Sequence, residues 1–270
     1  LIEKTQGMLV SDLLRAGMNP SIDTSQKEPY VNYLSRYLDQ INFTSTALLN
    51  SPVMDMRVVE YVDLLVAPYP QEKIKAIKEV LKRCEMNKEV ANYFIKRFIE
   101  TYENLQTVGH DEILTYLVTN YLNKTDYSEA RKDILIKKSS VLNKFLRGKY
   151  FNIKNLNEGG RLESLQGKYT LVFLWDETTS KKQLELLYDF SQSYAKYDLN
   201  VFSVLIGSDK SKLNIGQKNK WVNVIGNVRV KNELMMTSNT MLILLDKDKN
   251  VLARDISLDF LIDVLDVWEK

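Results

Sequence analysis

Tyr169-Thr170-Leu171-Val172-Phe173-Leu174-Trp175 is a continuous apolar run, rich in aromatic and branched side chains and bounded by Gly167-Lys168 on one side and Asp176 on the other. It is too short for a buried helix, so it reads as a strand buried on both faces. The chain then passes through Asp176-Glu177-Thr178-Thr179-Ser180-Lys181-Lys182 into a helical pattern without meeting a cysteine. Hydroxyl and ammonium groups occupy that junction, and the single cysteine of the chain, Cys84, lies far upstream.

Working outward from this strand, the segments after Gly148, two helical ones apart, have a period of two or a continuous apolar run. Phe151–Leu165 is expected to form a short hairpin around Gly159-Gly160, followed by the Tyr169–Trp175 strand, a helix over Ser180–Tyr197 and a strand over Asn200–Ile206. The polar stretch Gly207–Lys220 is expected to be partly helical, with a short strand at Val222–Ile225. Strands Thr240–Leu245 and Val251–Arg254 flank the turn Asp246-Lys247-Asp248-Lys249-Asn250, and an amphipathic helix on Leu258, Leu261, Ile262, Leu265 and Trp268 closes the chain. A strand–helix–strand crossover, a hairpin and a final helix make a mixed sheet covered on both faces.

Upstream, from about Tyr30 to Arg147, apolar residues recur at spacings of three and four. Ser51-Pro52 reads as a cap with proline in the first turn, leading a stripe of Val58, Val59, Val62 and Leu65 that ends at Ala67-Pro68-Tyr69-Pro70. Further faces are carried by Ile74, Ile77, Val80, Leu81 and Cys84; by Val90, Phe94, Phe98, Tyr102 and Leu105; by Ile113, Leu114, Leu117, Val118 and Tyr121 within Asp111–Leu122; and by Ile134, Val141, Leu142 and Phe145 within Glu129–Phe145. The change of period divides the chain into an all-helical domain, 1–147, and a mixed-sheet domain, 148–270.

The 270 residues are 44% apolar, and 37 basic against 35 acidic residues leave a net charge of +2. That balance argues against nucleic acid or an anionic membrane as the main partner. No apolar run approaches the roughly 20 residues that span a bilayer. One cysteine excludes an internal disulfide and says nothing about compartment. The first residue is Leu1, which leads us to expect a processed or trimmed N-terminus.

The order of elements, with Gly167–Asp176 leading to a helix and Leu242-Ile243-Leu244-Leu245-Asp246-Lys247-Asp248 in the late hairpin, resembles the thioredoxin-like domain of TlpA/ResA-type thiol–disulfide oxidoreductases. The helical half, around Tyr37-Leu38-Asp39-Gln40-Ile41-Asn42-Phe43-Thr44 with Ala47-Leu48-Leu49 and Pro52, resembles a helical domain of unknown function that precedes such domains in exported, often lipid-anchored proteins of Gram-negative anaerobes. The resemblance implies an α + α/β chain, a helical domain followed by a thioredoxin-like one.

In that family the aromatic residue ending the first core strand is followed by Cys-x-x-Cys, with a Glu one turn after the second cysteine. Aligning Trp175 with the aromatic residue and Glu185 with the Glu puts Thr179 and Lys182 at the cysteine positions; a register one residue earlier puts Thr178 and Lys181 there. Neither supplies the thiolate and resolving thiol that disulfide exchange needs, and a threonine hydroxyl neither ionises near neutral pH nor has a two-electron couple. The family also keeps a cis-proline before the late strand, packed against the dithiol. Counting back from Asp246 places that position at Thr240, within Thr237-Ser238-Asn239-Thr240. All five prolines lie in the helical half, and a non-proline cis bond costs about 3–4 kcal/mol, so the Asn239–Thr240 peptide is expected to be trans.

Other candidate groups have ordinary readings. His110, the only histidine, is expected at a helix start as a solvated or capping residue, and without a second ligand it makes no zinc site. The second domain contains no His or Cys, which removes the usual base for a Ser or Thr nucleophile. Thr178, Thr179 and Ser180 are expected to cap the following helix; the alternative is that the first-turn amides, with Lys181 and Lys182, hold a small anion or carboxylate. Asp246–Asn250 lacks the glycine and the distant acid of a calcium loop and reads as a hairpin turn. Tyr93, Phe94, Phe98 and Tyr102, interleaved with Lys96 and Arg97, read as a core stripe with a wet opposite face. Cys84 reads as an inert buried thiol.

These readings lead to a non-redox, thioredoxin-like binding or structural module with no cofactor, expected to contact a polypeptide partner; the resemblance implies an extracytoplasmic location, with the membrane met only through an N-terminal lipid anchor. A surface for that partner is expected near Trp175, Asp176, Thr179 and Asn239–Thr240, or in a groove between the domains. The alternatives are an oxidoreductase-family protein acting with cysteines from its partner, and a function carried by the helical half.

Overall fold

The computed structural model describes residues 2, 5, 7–104, 109–153, 156–193, 195–209 and 221–268. Helices come first: α1 (Leu9–Ala16), α2 (Pro29–Arg36), α3 (Pro52–Val59), α4 (Pro70–Arg83), α5 (Lys88–Asn104), α6 (His110–Tyr121) and α7 (Glu129–Leu142). Strands β1 (Leu156–Gly159) and β2 (Tyr169–Asp176) lead to α8 (Lys181–Ser193), then β3 (Leu199–Ile206), β4 (Trp221–Gly226), α9 (Val228–Glu233), β5 (Thr240–Asp246), β6 (Val251–Arg254) and α10 (Leu258–Trp268). The described residues form two compact units, one drawn from 1–105 and 113–136, the other from 106–112 and 137–270.

In the first unit, Pro29, Pro52 and Pro70 each stand in the first turn of a helix, where the missing N–H costs nothing. The Ser51 hydroxyl accepts from the Val53 amide as the cap of α3. Asn87 caps α5, its Oδ1 accepting from the amides of Glu89 and Val90, while its Nδ2 donates to the Thr44 carbonyl. The expected faces of α4 and α5 are buried: Ile74, Ile77, Val80, Leu81 and Cys84 on one, Val90, Phe94, Phe98 and Tyr102 on the other; Leu105 lies outside the described residues. After α3 the chain widens into a π-helical turn, Glu60–Leu65. On α7 the reading is corrected: Ile134 is 55% exposed and Leu135 is buried. Ile134, Leu135 and Ile136 are consecutive apolar residues, so the sequence carries no phase there, and packing selects the middle one.

The second unit is built on a six-stranded sheet in the order β1-β4-β3-β2-β5-β6. Strands β4, β3 and β2 run parallel and the remaining pairs are antiparallel. β2 lies inside the sheet, and its side chains from Tyr169 to Trp175 are all buried. Tyr169, Leu171, Phe173 and Trp175 pack on one face with Leu184, Leu187 and Phe190 of α8 and Leu261 and Leu265 of α10. Val172 and Leu174 pack on the other with Phe145, Phe151, Val230 and Leu234.

The expected hairpin over Phe151–Leu165 does not form. Leu156–Gly159 pairs instead with β4 as an edge strand, followed by a tight turn at Leu162–Ser164. Gly160 serves close approach rather than a hairpin bend, because a Cβ there would collide with Val222. Of the polar stretch Gly207–Lys220, residues 210–220 lie outside the described residues. The short helix α9, capped by Asn227 through the Arg229 amide, is a feature that the sequence pattern missed.

Candidate functional site

The end of β2 delivers Trp175 to the interior of the second unit, where it is 1% exposed. Its indole Nε1 donates to Ser203 Oγ on β3 at 2.8 Å, which satisfies the one polar atom of a buried ring. The ring stacks on Phe173 at 6.3 Å with a 10° interplanar angle. Beyond it, the backbone leaves the sheet through three side chains that each reach a different segment.

Asp176 turns one carboxylate oxygen back on its own loop. Oδ1 accepts from the Thr178 amide at 2.9 Å and the Thr178 hydroxyl at 2.5 Å, and Oδ2 accepts from Lys231 Nζ of α9 at 3.1 Å. Burial alone would raise this carboxyl; the Thr178 and Lys231 hydrogen bonds outweigh it and hold the group below the usual carboxylate range. Glu177 Oε1 accepts from the amides of Ser208 at 2.7 Å and Asp209 at 3.1 Å, just past β3. Gly207 permits this approach, since a Cβ there would meet the Glu177 carboxyl. Thr179 is 9% exposed, and its hydroxyl donates to the Asn239 carbonyl at 3.0 Å. That same carbonyl accepts from the Asp176 amide at 3.0 Å.

Of the three hydroxyls expected to cap α8, only Ser180 does so. Its Oγ accepts from the Gln183 amide at 3.3 Å, and Gln183 Oε1 accepts in return from the Ser180 amide at 3.1 Å, a reciprocal capping box. Thr178 is held by Asp176 and Thr179 by Asn239, so neither hydroxyl reaches the first-turn amides. Lys181 lies 3.4 Å from Glu185 on a solvated face, with side-chain exposures of 89% and 61%, and Lys182 is exposed beside them. Thr240 opens β5 and pairs with Trp175 across the antiparallel ladder, and the Asn239–Thr240 peptide is trans.

The structure therefore brings Trp175, Asp176, Thr179, Asn239 and Thr240 together and leaves Lys181, Lys182 and Glu185 on the outside of α8. Several contacts of the cluster escaped the sequence reading, among them Glu177 with the amides of Ser208 and Asp209. Ser203 and Lys231 carry no local signal, whereas Gln183, three positions after Ser180, is legible as half of a capping box.

The remaining candidates are structural. His110 begins α6, but its side chain is only 12% exposed, which corrects the expectation of a solvated residue; Nε2 lies 2.9 Å from Asp111 Oδ1. Asp111 also accepts from Arg254 at 2.5 Å. Burial opposes its ionisation, and the His110 and Arg254 contacts overcome that and hold the carboxyl low. Asp246 Oδ1 accepts from the amides of Asp248 and Asn250 at the β5–β6 turn, which is how a hairpin turn uses an aspartate. Phe94, Phe98 and Tyr102 are core residues. Cys84 is fully buried, and burial pushes its thiol up to about 12. Among the described residues, no group of three or more His, Cys, Asp or Glu side chains is placed to hold a metal ion, and no helix is long and apolar enough to cross a membrane.

Residues 19–144 match a protein family described as a domain of unknown function, DUF5106. Among solved structures, the chain is similar to a thioredoxin-like protein from Bacteroides caccae at 18% identity and a TM-score of 0.70, covering 93% of this chain and 98% of that one. The thioredoxin domain of a thiol-disulfide oxidoreductase from Bacteroides vulgatus matches at 18% identity and a TM-score of 0.36, covering 46% of this chain and 97% of that one. A thiol:disulfide interchange protein from Bacteroides sp. matches at 19% identity and a TM-score of 0.35, covering 44% and 88%. No curated protein matches. The first of these likenesses establishes a thioredoxin-like fold combined with a helical N-terminal region.

Proposed function

We propose that the second unit is a thioredoxin-like module without dithiol chemistry, and that the chain acts outside the cytoplasm as a binding or structural protein in contact with another polypeptide. The observation that carries the loss of dithiol chemistry is the Thr179–Asn239 hydrogen bond, while the location and the polypeptide contact rest on the family resemblance. At the β2–α8 turn, where a redoxin would hold a thiolate, the only buried hydroxyl is committed to a carbonyl of its own chain. Disulfide exchange needs an accessible thiolate and a second thiol to resolve the mixed disulfide. The one thiol present, Cys84, is buried, and burial has moved it away from ionisation rather than toward it. The likeness to the thioredoxin-like protein from Bacteroides caccae supports the fold, and the residues at this turn support a use of it other than thiol exchange.

An insulin-reduction assay and a scrambled-substrate refolding assay with the full chain test the reading. Both should run at the uncatalysed rate, and Ellman's reagent should titrate the Cys84 thiol only after denaturation. Turnover above the blank that survives Cys84→Ser would overturn the proposal.

A further inference from the structure

The β2–α8 turn does more than lack a thiol. Within four consecutive positions, Asp176 reaches α9 through Lys231, Glu177 reaches the segment after β3 through the amides of Ser208 and Asp209, and Thr179 reaches the segment before β5 through Asn239. These are the segments that meet where β2 and β3 end. We propose that residues 176–179 act as a clasp that holds this edge shut, so that it is a structural joint closed to an incoming extended polypeptide. This rests on the non-redox reading and deepens it, because it moves any polypeptide contact of the second unit away from the Thr179–Asn239 edge.

The chemistry follows from counting acceptors. An extended chain seated against these loops would have to bond to their main chain, as recognised extended peptides do. A carbonyl oxygen has two acceptor positions, and at Asn239 both are taken, one by the Asp176 amide and one by the Thr179 hydroxyl, each at 3.0 Å. The next acceptor along, the Thr240 carbonyl, receives the Ser238 hydroxyl at 2.5 Å. Glu177 gives the clasp its charged arm: a carboxylate accepting two amides makes stronger bonds than a neutral acceptor would.

Amide-resolved hydrogen exchange on the full chain tests the clasp. In Glu177→Ala, exchange at Ser208 and Asp209 should rise roughly tenfold or more, the size expected of a lost charge-assisted bond. In Thr179→Val, exchange at Asp176, whose amide shares the Asn239 carbonyl, should rise roughly fivefold, and Thr179→Ser should restore it. Lys182→Ala, on the solvated face, should leave all three amides at their wild-type rates. The clasp is overturned if exchange in Glu177→Ala and Thr179→Val stays within about twofold of wild type, or if Thr179→Ser fails to restore protection. Glu177 is exposed, so its variant folds and decides the matter even where Thr179→Val does not. Thiol turnover by the chain would remove the non-redox reading without altering these exchange rates, and unchanged exchange would remove the clasp without creating a thiol.

Discussion

Trp175 and Ser203 make one buried hydrogen bond on which the end of β2 depends. The run Tyr169–Trp175 announces a buried aromatic ring, but nothing local points to Ser203, which faces the same side of the sheet on a strand whose register only pairing defines. Ser203→Ala should leave the indole N–H without an acceptor and lower stability by about 1–3 kcal/mol, the cost of an orphaned buried donor. Urea unfolding followed by tryptophan emission reads this directly; a variant as stable as wild type would mean that the indole has another partner. Thr179 shows the same division. That it cannot perform disulfide chemistry is a property of its functional group. That its hydroxyl serves Asn239 depends on a contact across 60 positions of sequence.

Helix α8 owes its start to the Ser180–Gln183 capping box, whose two halves satisfy each other's amides. Ser180→Ala should cost about 1 kcal/mol, seen as a lower urea midpoint at an unchanged slope; an unchanged midpoint would mean that the cap is supplied elsewhere. Most elements were legible because their apolar period is long: α4 and α5 bury the faces that their spacing marks, and β2, β3 and β5 occupy the runs expected of them. The failures are short elements. α9 spans six residues and buries Val230, too little for a period to register. β1 looked like half of a hairpin because Gly159-Gly160 suggests a turn, whereas Gly160 is there to let β4 approach.

For the whole molecule, alkali should cost the first unit more than the second. Tyr37, Tyr61 and Tyr102 in the first unit are buried, and burial raises their phenols above the ordinary value of 10.0. They stay protonated in the fold and ionise once unfolded, so their contribution is complete below about pH 10 and is lost as pH rises beyond it. Asp111 and Asp176 in the second unit are held below their ordinary value of 3.8. Their contribution is complete above about pH 4 and is lost as pH falls through the lowered values. All three tryptophans, Trp175, Trp221 and Trp268, lie in the second unit, so tryptophan emission follows that unit while the far-UV helix signal is weighted toward the first. Raising the pH from about 8 to about 11 should lower the helix-signal melting midpoint more than the tryptophan midpoint. Identical shifts by both probes would refute the assignment. The sequence by itself determined the two classes of structure, the buried central strand and the absence of a dithiol, because apolar period and cysteine content are properties of residues and their near neighbours. Only the tertiary structure decided that Asp176, Glu177 and Thr179 bind Lys231, Ser208 and Asn239, because the order in which strands pair determines which distant loops share an edge.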